Sequence, residues 1–461
     1  MRVSARFAIL CSLPVCVSTI CLGQSVGLAA AGAPVANPGY AQRAPVSVSS
    51  VPVGASASSL TFDAVTGAVI SGASGNASVN PLLKASASSS NDDYFDTDGS
   101  LENLPTIDGL NTLATFEGAF IQQSGTNQGE DFWFTMIGND PRLGKTTKFP
   151  ANIDEVSLQL LKADGSVFTT VPFSPFEKLT LESPNFEPLD YRSGHGIEYA
   201  DAIHRAEFYN VMKRDWHSLL IPKVVNKVTI TVPYFVNVQL KNGNVIQARS
   251  YFTGTAPDGS TFVLLLSPLF DFFFQNEAVN EINLGNFAPN GINMTLFPNT
   301  FLFSLNTKNP NTPGDCCTLG FHSYFLDGNI PESRWVTEFA SWISPGLFGP
   351  GFQDVTALSH ETSESFADPF VDNATPNWQF PGQPATSTVC QNNLEEGDPI
   401  EGLTNATSAI EVKEKGFDYI YHPQNLALYE WFEMGATSNA IDGAFSFPDE
   451  TVLPTSAIPC P

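Results

Sequence analysis

The segment ALSHETSESFADPF (357–370) places one histidine directly before a glutamate, and a second glutamate follows one helical turn later. If the segment is helical, His360 and Glu364 lie about 40° apart around the axis, so both side chains can reach one cation. Glu361 lies about 100° from His360, where its carboxylate can take a proton from a water beside that cation. The segment therefore predicts a metal-binding helix with Glu361 as catalytic base. A solvated acidic helix face that carries a polar histidine is the alternative.

A third metal ligand is expected from the acidic segment CQNNLEEGDPIEG (390–402). We take Glu395 as this ligand, with Glu396 and Asp398 as competitors. Catalytic zinc sites use three protein ligands plus a water, and this set would supply one nitrogen and two carboxylates. Two anionic ligands neutralise Zn²⁺, so a bound water would be less acidic than in sites with neutral histidines. The predicted cofactor is Zn²⁺, and Mn²⁺ or another divalent ion also suits such a carboxylate-rich set.

A second candidate catalytic residue, His322, lies in GFHSYF (320–325). Its imidazole could donate a hydrogen bond to an oxyanion or bind the substrate. A histidine hydrogen-bonded within the fold near a cysteine pair is the competing interpretation. The chain has neither a GxSxG elbow nor a GxxxxGK[ST] loop, so serine-hydrolase and phosphate-loop chemistry lack their motifs. A glycan hydrolase is a further alternative, because such enzymes also use pairs of acidic residues. The distance between the two carboxylates determines whether they retain or invert the configuration of the sugar.

The predicted metal-binding helix has signals at both ends. Asp354 can cap a helix that runs through VTALSHETSESFA (355–367), and Pro369 ends it after Asp368. Asp368 and Asp398 are interpreted as carboxylates that orient the metal ligands. A simple helix-end role before a proline accounts for Asp368 nearly as well.

The N-terminal half has mainly β patterns. Asp164-Gly165 and Asn242-Gly243 each separate alternating apolar positions, which predicts two hairpins. The apolar run FVLLLSPLFDFFF (262–274) is assigned to the second of these β regions. Between the two regions, residues 196–217 carry the helical periodicity of this half.

Composition and charge exclude several classes of protein. The 461 residues include 47 acidic and 21 basic side chains, for a net charge of −26. Such a surface repels phosphate backbones and anionic membranes, so nucleic-acid binding is not expected. No run of about 20 apolar residues follows the N-terminal segment, so no membrane span is expected. The 36 Phe, 34 Pro and 35 Gly favour short strands and many turns.

The first 30 residues have the layout of a secretory signal peptide. Arg2 and Arg6 precede an apolar run, and an Ala-rich zone follows. Export would leave four cysteines in the mature chain, and an oxidising compartment would pair them as two disulfides. We expect Cys316 and Cys317 each to pair with one of Cys390 and Cys460, because a bond between adjacent cysteines is strained.

An ordered set of motifs resembles secreted bacterial proteins with an HExxE zincin-like signature, and more distantly the plant phosphate-induced (exordium) proteins. The motif pieces that carry the likeness are Ser359-His360-Glu361, Glu364, Asp368-Pro369 and Glu395-Glu396-Gly397-Asp398. The bacterial group is also matched by CCTLGFHSYF (316–325), EYADAIHRAEFYN (198–210) and GAFSFPDETVL (443–453). The likeness spans the chain from about residue 115 onward. It implies a zincin-like fold for the third region and metallopeptidase activity, although polar Thr362 and Ser363 stand where such helices are usually apolar.

The sequence as a whole predicts an α+β protein in four parts. These are a signal peptide (1–30), a low-complexity linker or leader (31–95), a β-rich domain with one helix near 197–215 (96–310) and a zincin-like region with the metal-binding helix (311–461). The expected function is metal-dependent hydrolysis of a peptide or protein by a secreted monomer, extracellular or periplasmic. The alternative is a non-enzymatic extracellular or cell-surface binding protein whose metal site is structural or vestigial.

Overall fold

The computed structural model describes residues 61–63, 69–71, 113–125, 128–191, 196–326, 334–383, 390–414, 417–436 and 439–460. The predicted signal peptide and most of the low-complexity stretch lie outside these residues. Strands outnumber helices in the described chain, which is consistent with a β-rich α+β protein. Within the described residues, no helix is both long and apolar enough to cross a membrane.

Most strands of the described chain are short, and three of them reach 15 or 16 residues. The strands are β1 (Thr61–Asp63), β2 (Val69–Ser71), β3 (Thr115–Ile121), β4 (Asp131–Ile137), β5 (Thr146–Leu161), β6 (Val167–Val171), β7 (His217–Val232), β8 (Phe235–Gln239), β9 (Val245–Arg249), β10 (Tyr251–Thr255), β11 (Thr261–Leu266), β12 (Ile292–Pro298), β13 (Thr300–Leu305), β14 (Pro313–Thr318), β15 (Gly320–Leu326), β16 (Arg334–Phe348), β17 (Phe352–Asp354), β18 (Ala374–Trp378), β19 (Gln391–Asn393), β20 (Ile410–Glu414), β21 (Phe417–Tyr421), β22 (Leu426–Ala427) and β23 (Ser446–Phe447). The helices are α1 (Ser174–Leu181), α2 (Tyr199–Glu207), α3 (Ser267–Leu284), α4 (Thr356–Ala367) and α5 (Tyr429–Phe432), with a 3₁₀ turn at Ile441–Gly443.

The largest sheet has the strand order β15-β16-β12-β5-β6, with β7 beside β5 and β17 beside β16. The pairs β16/β12, β12/β5 and β5/β7 are parallel, whereas β15 runs antiparallel to β16. β12 is buried along its whole length, as expected for a central parallel strand covered on both faces. Because β16 pairs with β12, this sheet crosses the predicted division at residue 310, and one apolar core extends beneath both predicted regions.

Two short strands of the predicted leader join the fold. β1 pairs with β2 and, in parallel, with β8. The predicted turns are present as well, since Asp164-Gly165 joins β5 to β6 and Asn242-Gly243 joins β8 to β9. Gly165 and Gly243 have φ angles of +81° and +83°, which explains why each turn carries a glycine.

The assignment of residues 262–274 to a β region is wrong in its second half. β11 ends at Leu266, and Ser267 begins the long helix α3, with Pro268 in its first turn and Gly285 in the left-handed conformation at its end. Phe270, Phe274 and Ala278 recur every four residues and are all buried, so this run has a helical period that a short apolar stretch hides. The helix expected near 197–215 is α2, which ends earlier, at Glu207.

The predicted disulfide pairing is also wrong. The structure joins Cys316 to its neighbour Cys317, and Cys390 to Cys460. The C-terminal tail brings Cys460 beside β18, where its N–H donates to the carbonyl of Asn377 (2.9 Å). Two disulfides nevertheless fit the expected oxidising compartment.

Removing the long-range disulfide is expected to lower stability substantially. Cys390 and Cys460 are separated by 70 residues, and releasing a loop of that size from the unfolded chain costs about 4 kcal/mol of unfolding free energy. Urea denaturation of a Cys390→Ser/Cys460→Ser variant would measure this loss. The matched control is Cys316→Ser/Cys317→Ser, which opens no long loop. Equal losses in both variants would contradict the chain-entropy explanation.

A buried carboxyl group, Asp154, lies on β5 far along the chain from the predicted metal-binding helix. It is 0% exposed, and neither of its oxygens has a hydrogen-bond partner among the described residues. Burial, together with the charges of Glu277 and Glu281, raises its pKa to about 8. Asp154 therefore keeps its proton in the folded protein at pH values where the unfolded chain has lost it.

Because the pKa of Asp154 is higher in the folded state than in the unfolded state, the free energy of unfolding should depend on pH. An Asp154→Asn variant should lack this contribution. The raised pKa makes the folded state less stable as pH rises from about 4 to about 8, by roughly 1.4 kcal/mol for each pH unit. We therefore expect the wild type to lose more unfolding free energy between pH 5 and pH 8 than Asp154→Asn. Urea denaturation at both pH values checks this, with the exposed Asp418→Asn as control. Identical pH profiles for the wild type and Asp154→Asn would contradict the prediction.

Candidate metal centre

Helix α4 lies against strands β15 and β16 of the large sheet, and it carries the three residues of the HExxE motif. The loop after β19 closes over the helix, because the backbone N–H of Gly397 donates to Glu364 Oε1 (2.9 Å). Gln424, which precedes β22, contacts the same loop through a hydrogen bond to the carbonyl of Gly397 (2.7 Å). A helix, two strands and two loops thus surround one buried cluster of acidic and histidine side chains, which we call the acidic pocket.

All twelve residues of α4 are buried, which contradicts the idea of a solvated acidic face. Small hydroxyl side chains allow this close packing because they find partners nearby. Thr362 Oγ1 donates to Glu338 Oε2 on β16 (3.1 Å), and Ser359 Oγ accepts from the N–H of Gln424 (2.9 Å). Thr362 and Ser359 therefore fasten the helix to its surroundings, whereas the hydroxyl of Ser363 has no hydrogen-bond partner among the described residues.

The helix starts one residue later than predicted. α4 begins at Thr356, and Asp354 has no side-chain bond to the helical N–H groups that a cap would serve. Asp354 instead accepts hydrogen bonds from the N–H of Val355 (2.7 Å) and from the N–H of His422 (2.9 Å). Its other oxygen lies 2.8 Å from His422 Nδ1. Asp354 therefore ties the start of the helix to the segment before β22, and the predicted stop at Asp368 before Pro369 is present.

His360 and Glu364 meet in the acidic pocket as the spacing predicts. His360 Nε2 lies 2.9 Å from Glu364 Oε2, and the two side chains are buried. On the other side of the ring, Nδ1 lies 3.0 Å from Gln424 Oε1. The amide nitrogen of Gln424 donates to the carbonyl of Gly397, which fixes the amide orientation. Nδ1 must therefore carry the hydrogen, and Nε2 faces Glu364.

His322 enters the same pocket from β15. Its Nε2 lies 3.2 Å from the carbonyl oxygen of Asp368, so this nitrogen carries a hydrogen. Its Nδ1 faces carboxylates only, at 3.5 Å from Glu364 Oε2, 3.6 Å from Glu361 Oε2 and 3.9 Å from Glu395 Oε2. His322 thus lies among the predicted metal and catalytic residues, with both nitrogens directed at groups of the protein.

Two sets of possible ligand atoms share Glu364. His360, Glu364 and Asp398 form one set and His322, Glu361 and Glu364 form the other, with the atoms of each set within 4.8 Å of one another. Asp398 Oδ1 lies 4.0 Å from His360 Nε2, and its side chain is 30% exposed. The predicted third ligand, Glu395, falls in neither set but contacts His322.

Two glycines make room for the functional side chains. A Cβ added at Gly397 would lie 2.3 Å from His360 Nδ1, and one added at Gly320 would lie 2.5 Å from Glu361 Oε1. Both distances are far too short for real atoms. The backbone therefore approaches the imidazole and the carboxylate directly and holds each in place.

Burial with little positive charge raises the pKa of most carboxyl groups in the pocket. Burial and the charge of Glu364 hold the pKa of Glu395 well above its usual range, and burial also raises the pKa of Glu361. Glu364 is the exception. Burial raises its pKa, but the charge of His360 and the contact with His322 outweigh burial and lower it. Glu364 is therefore the carboxylate that stays ionised at the centre of the pocket.

Neighbouring glutamates raise the pKa values of the two imidazoles, His322 and His360. Burial lowers the pKa of His322, but the charge of Glu395 and the contact with Glu361 outweigh it and hold this pKa well above its usual range. For the pKa of His360, the charges of Glu364 and Glu361 outweigh burial in the same way. An enclosed excess of negative charge is the setting that a divalent cation would neutralise.

Several buried oxygens around the pocket have no hydrogen-bond partner in the described part of the chain. They are Glu338 Oε1, Asp368 Oδ2 and both carboxylate oxygens of Glu396. Burial raises the pKa of Glu338 to about 8. Imidazole nitrogens with carboxylate oxygens suit Zn²⁺, and the surplus of carboxylates suits Mn²⁺ equally. The residues present fit a divalent cation of either kind.

Comparison of the sequence with protein-family models, with curated proteins and with solved structures gave no match. The geometry of the pocket is therefore the basis for assigning a function.

Sequence reasoning missed two features of the pocket, Glu338 and Gln424. Glu338 faces α4 from β16, and its signal is a lone glutamate within the apolar stretch WVTEFASW (335–342). Asp398, which the sequence predicts either as a competing third ligand or as a carboxylate that orients ligands, lies in a set with His360 and Glu364. Gln424 fixes the ring of His360 from a loop 64 residues away, and no local pattern marks it.

Proposed function

We propose that this protein is a secreted metal-dependent hydrolase, and specifically a zinc metallopeptidase. The observation that carries the proposal is the convergence of His360, Glu361 and Glu364 in one buried pocket, with His360 Nε2 turned toward Glu364 Oε2 at 2.9 Å. The HExxE spacing and the resemblance to zincin-like proteins support the same reaction class. Export is supported by the N-terminal sequence and by the two disulfides.

His360 and Glu364 would hold the ion together with a carboxylate from the loop after β19. Glu395 is the ligand that the motif order favours, and Asp398 is the one whose oxygen lies in a set with His360 and Glu364. A bound Zn²⁺ would supply a Lewis acid that polarises a carbonyl group and makes a nearby water more acidic. The Gln424 amide and the Gly397 N–H hold the two ligands of the helix in orientation.

Glu361 would transfer the proton during hydrolysis. Its carboxylate follows His360 directly on α4 and is fixed beside the backbone of Gly320. Burial raises its pKa above the usual range of a glutamate, which suits a group that first accepts a proton from water and then gives it to the leaving amine. The residue is only 5% exposed, so water would be excluded around the reacting groups.

A peptide substrate is favoured by the position of β15. Among the described strands β15 pairs with β16 alone, so it lies at an edge of the large sheet. It also carries His322 and Gly320, which place this edge beside the HExxE helix. An extended peptide can add to a sheet edge through its main chain, which would bring a peptide bond to the pocket.

The surroundings of His322 bear on its predicted role as a donor to an oxyanion or a substrate. Its Nε2 is directed at the carbonyl of Asp368, and its Nδ1 is directed at the carboxylates of the pocket. This arrangement favours a role inside the acidic pocket over contact with a substrate oxyanion.

Metal analysis combined with a cleavage assay tests the proposed function. Purified protein would be assayed for bound metal and then incubated with a broad peptide library, with and without a chelator. We expect cleavage that the chelator abolishes and that added Zn²⁺ restores. Stoichiometric metal without cleavage of any peptide would overturn the proposal.

The second candidate function is a non-enzymatic extracellular binding protein with a structural metal site. The enclosure of the pocket favours it, because His360 and Glu364 are only 7% and 2% exposed. A structural zinc site is closed by four protein ligands, and the pocket has enough side chains to supply them. If the purified protein contains metal but cleaves no peptide of the library, this second function is favoured.

A further inference from the structure

The unusual feature of the acidic pocket is that two imidazole nitrogens face the same carboxylate. The carbonyl of Asp368 can only accept a hydrogen bond, so the hydrogen of a neutral His322 ring lies on Nε2. The lone pair on Nδ1 then points at carboxylate oxygens, which also only accept when the carboxyl groups are ionised. His360 repeats this arrangement, with Nδ1 tied to Gln424 and Nε2 at Glu364. Either a hydrogen on the facing groups or a cation between them must therefore separate each ring nitrogen from Glu364.

The spacing around His322 suits a metal ion. Its Nδ1 lies 3.5 Å from Glu364 Oε2 and 3.6 Å from Glu361 Oε2. Ligand atoms about 2.0–2.2 Å from a tetrahedral ion are roughly 3.3–3.6 Å apart. A hydrogen bond from a protonated ring would draw these atoms closer, to about 2.7–2.9 Å. His360 Nε2 and Glu364 Oε2 are at this shorter distance, 2.9 Å, so an ion at His360 requires these two side chains to move apart. Glu395 Oε2, at 3.9 Å from the same nitrogen, is placed to act as a further ligand.

We propose that His322, Glu361 and Glu364 form a second divalent-cation site, which shares Glu364 with the cation held by His360. This inference rests on the proposed function for the first ion. One divalent ion would leave the other carboxyl groups of the pocket either protonated or uncompensated, and buried uncompensated charge is costly. An independent observation agrees with the second site. Glu338 lies opposite His322 in the β15/β16 register, is 0% exposed, and has one oxygen with no hydrogen-bond partner in the described structure.

A second ion at this site has a chemical consequence. It would engage the carboxylate of Glu361, so that this group could no longer accept a proton. The first ion therefore supports hydrolysis, and the second opposes it. Activity should rise and then fall as the free Zn²⁺ concentration increases.

Counting bound ions tests the second site without relying on activity. The full-length mature chain would be stripped of metal and dialysed against increasing free Zn²⁺, and bound zinc would be measured by elemental analysis. We expect two equivalents for the wild type, one for His322→Ala and one for His360→Ala. Glu411→Gln, an exposed change outside the pocket, is the matched control and should bind two. His322→Gln serves as a second variant in case His322→Ala does not fold, as judged by circular dichroism.

The outcomes separate this inference from the proposed function. One equivalent in both the wild type and the His322 variants would overturn the second site, and the hydrolase with one ion would stand. No bound metal in the wild type would overturn both. Loading with Mn²⁺ gives an independent readout, because two ions that share a carboxylate produce a spin-coupled electron paramagnetic resonance spectrum. An uncoupled wild-type spectrum would also overturn the second site.

Discussion

Replacing Glu361 with glutamine is expected to lower kcat by about 10²–10⁴-fold while His360 and Glu364 still bind their ion. The amide has nearly the same shape as the carboxylate but cannot accept the proton that hydrolysis releases. Glu361 would lie beside the proposed ion and is not in the set formed by His360, Glu364 and Asp398. The variant should therefore lose turnover and keep the first metal site.

Steady-state kinetics on the best-cleaved library peptide, together with metal analysis of the same sample, would check this result. Glu411→Gln makes the same chemical change at an exposed position and should retain wild-type kcat. A Glu361→Gln enzyme within a few-fold of wild type would refute the proton-transfer role. Loss of all bound metal from this variant would instead identify Glu361 as a ligand of the first ion.

Removing the metal is expected to lower the thermal unfolding midpoint by about 4 °C. An ion that binds the folded state alone adds about 4 kcal/mol when its free concentration is 1,000 times its Kd, and a protein of this size responds by about 1 °C per kcal/mol. The physical reason is the enclosed set of carboxylates. Without the ion, Glu364 and its neighbours face one another with only imidazole charges between them.

Differential scanning calorimetry with and without chelator measures this shift. A His360→Ala/Glu364→Ala variant lacks the first ion, so chelator should not move its midpoint. A wild-type midpoint that stays constant while elemental analysis shows that the metal has left would contradict the stabilising role.

Features set by local sequence were predictable in this chain. The α4 helix follows from the spacing of His360, Glu361 and Glu364, and the two hairpins follow from Asp-Gly and Asn-Gly turns. The helix α3 was missed because a short apolar run is compatible with either period. The helical period of α3 can be recognised only once the structure shows that Phe270 and Phe274 are both buried in the same core.

Features set by long-range contacts were not predictable. Glu338 reaches the pocket because β15 and β16 pair in one particular register, which the strand sequences do not specify. The choice between Glu395 and Asp398 depends on how a loop folds over the helix. The contact of Gln424 with His360 and the Cys390–Cys460 bond both depend on where the C-terminal segments pack against the rest of the fold.

The pairing of β16 with β12 has a consequence for how this protein could be divided. β12 belongs to the N-terminal half and separates β16 from β5, so residues 311–461 alone would lack the neighbour that covers one side of β16. A fragment of this kind would present a long, apolar, unpaired strand edge, which favours aggregation over folding. Residues 311–461 are therefore not expected to fold as an independent module without β12.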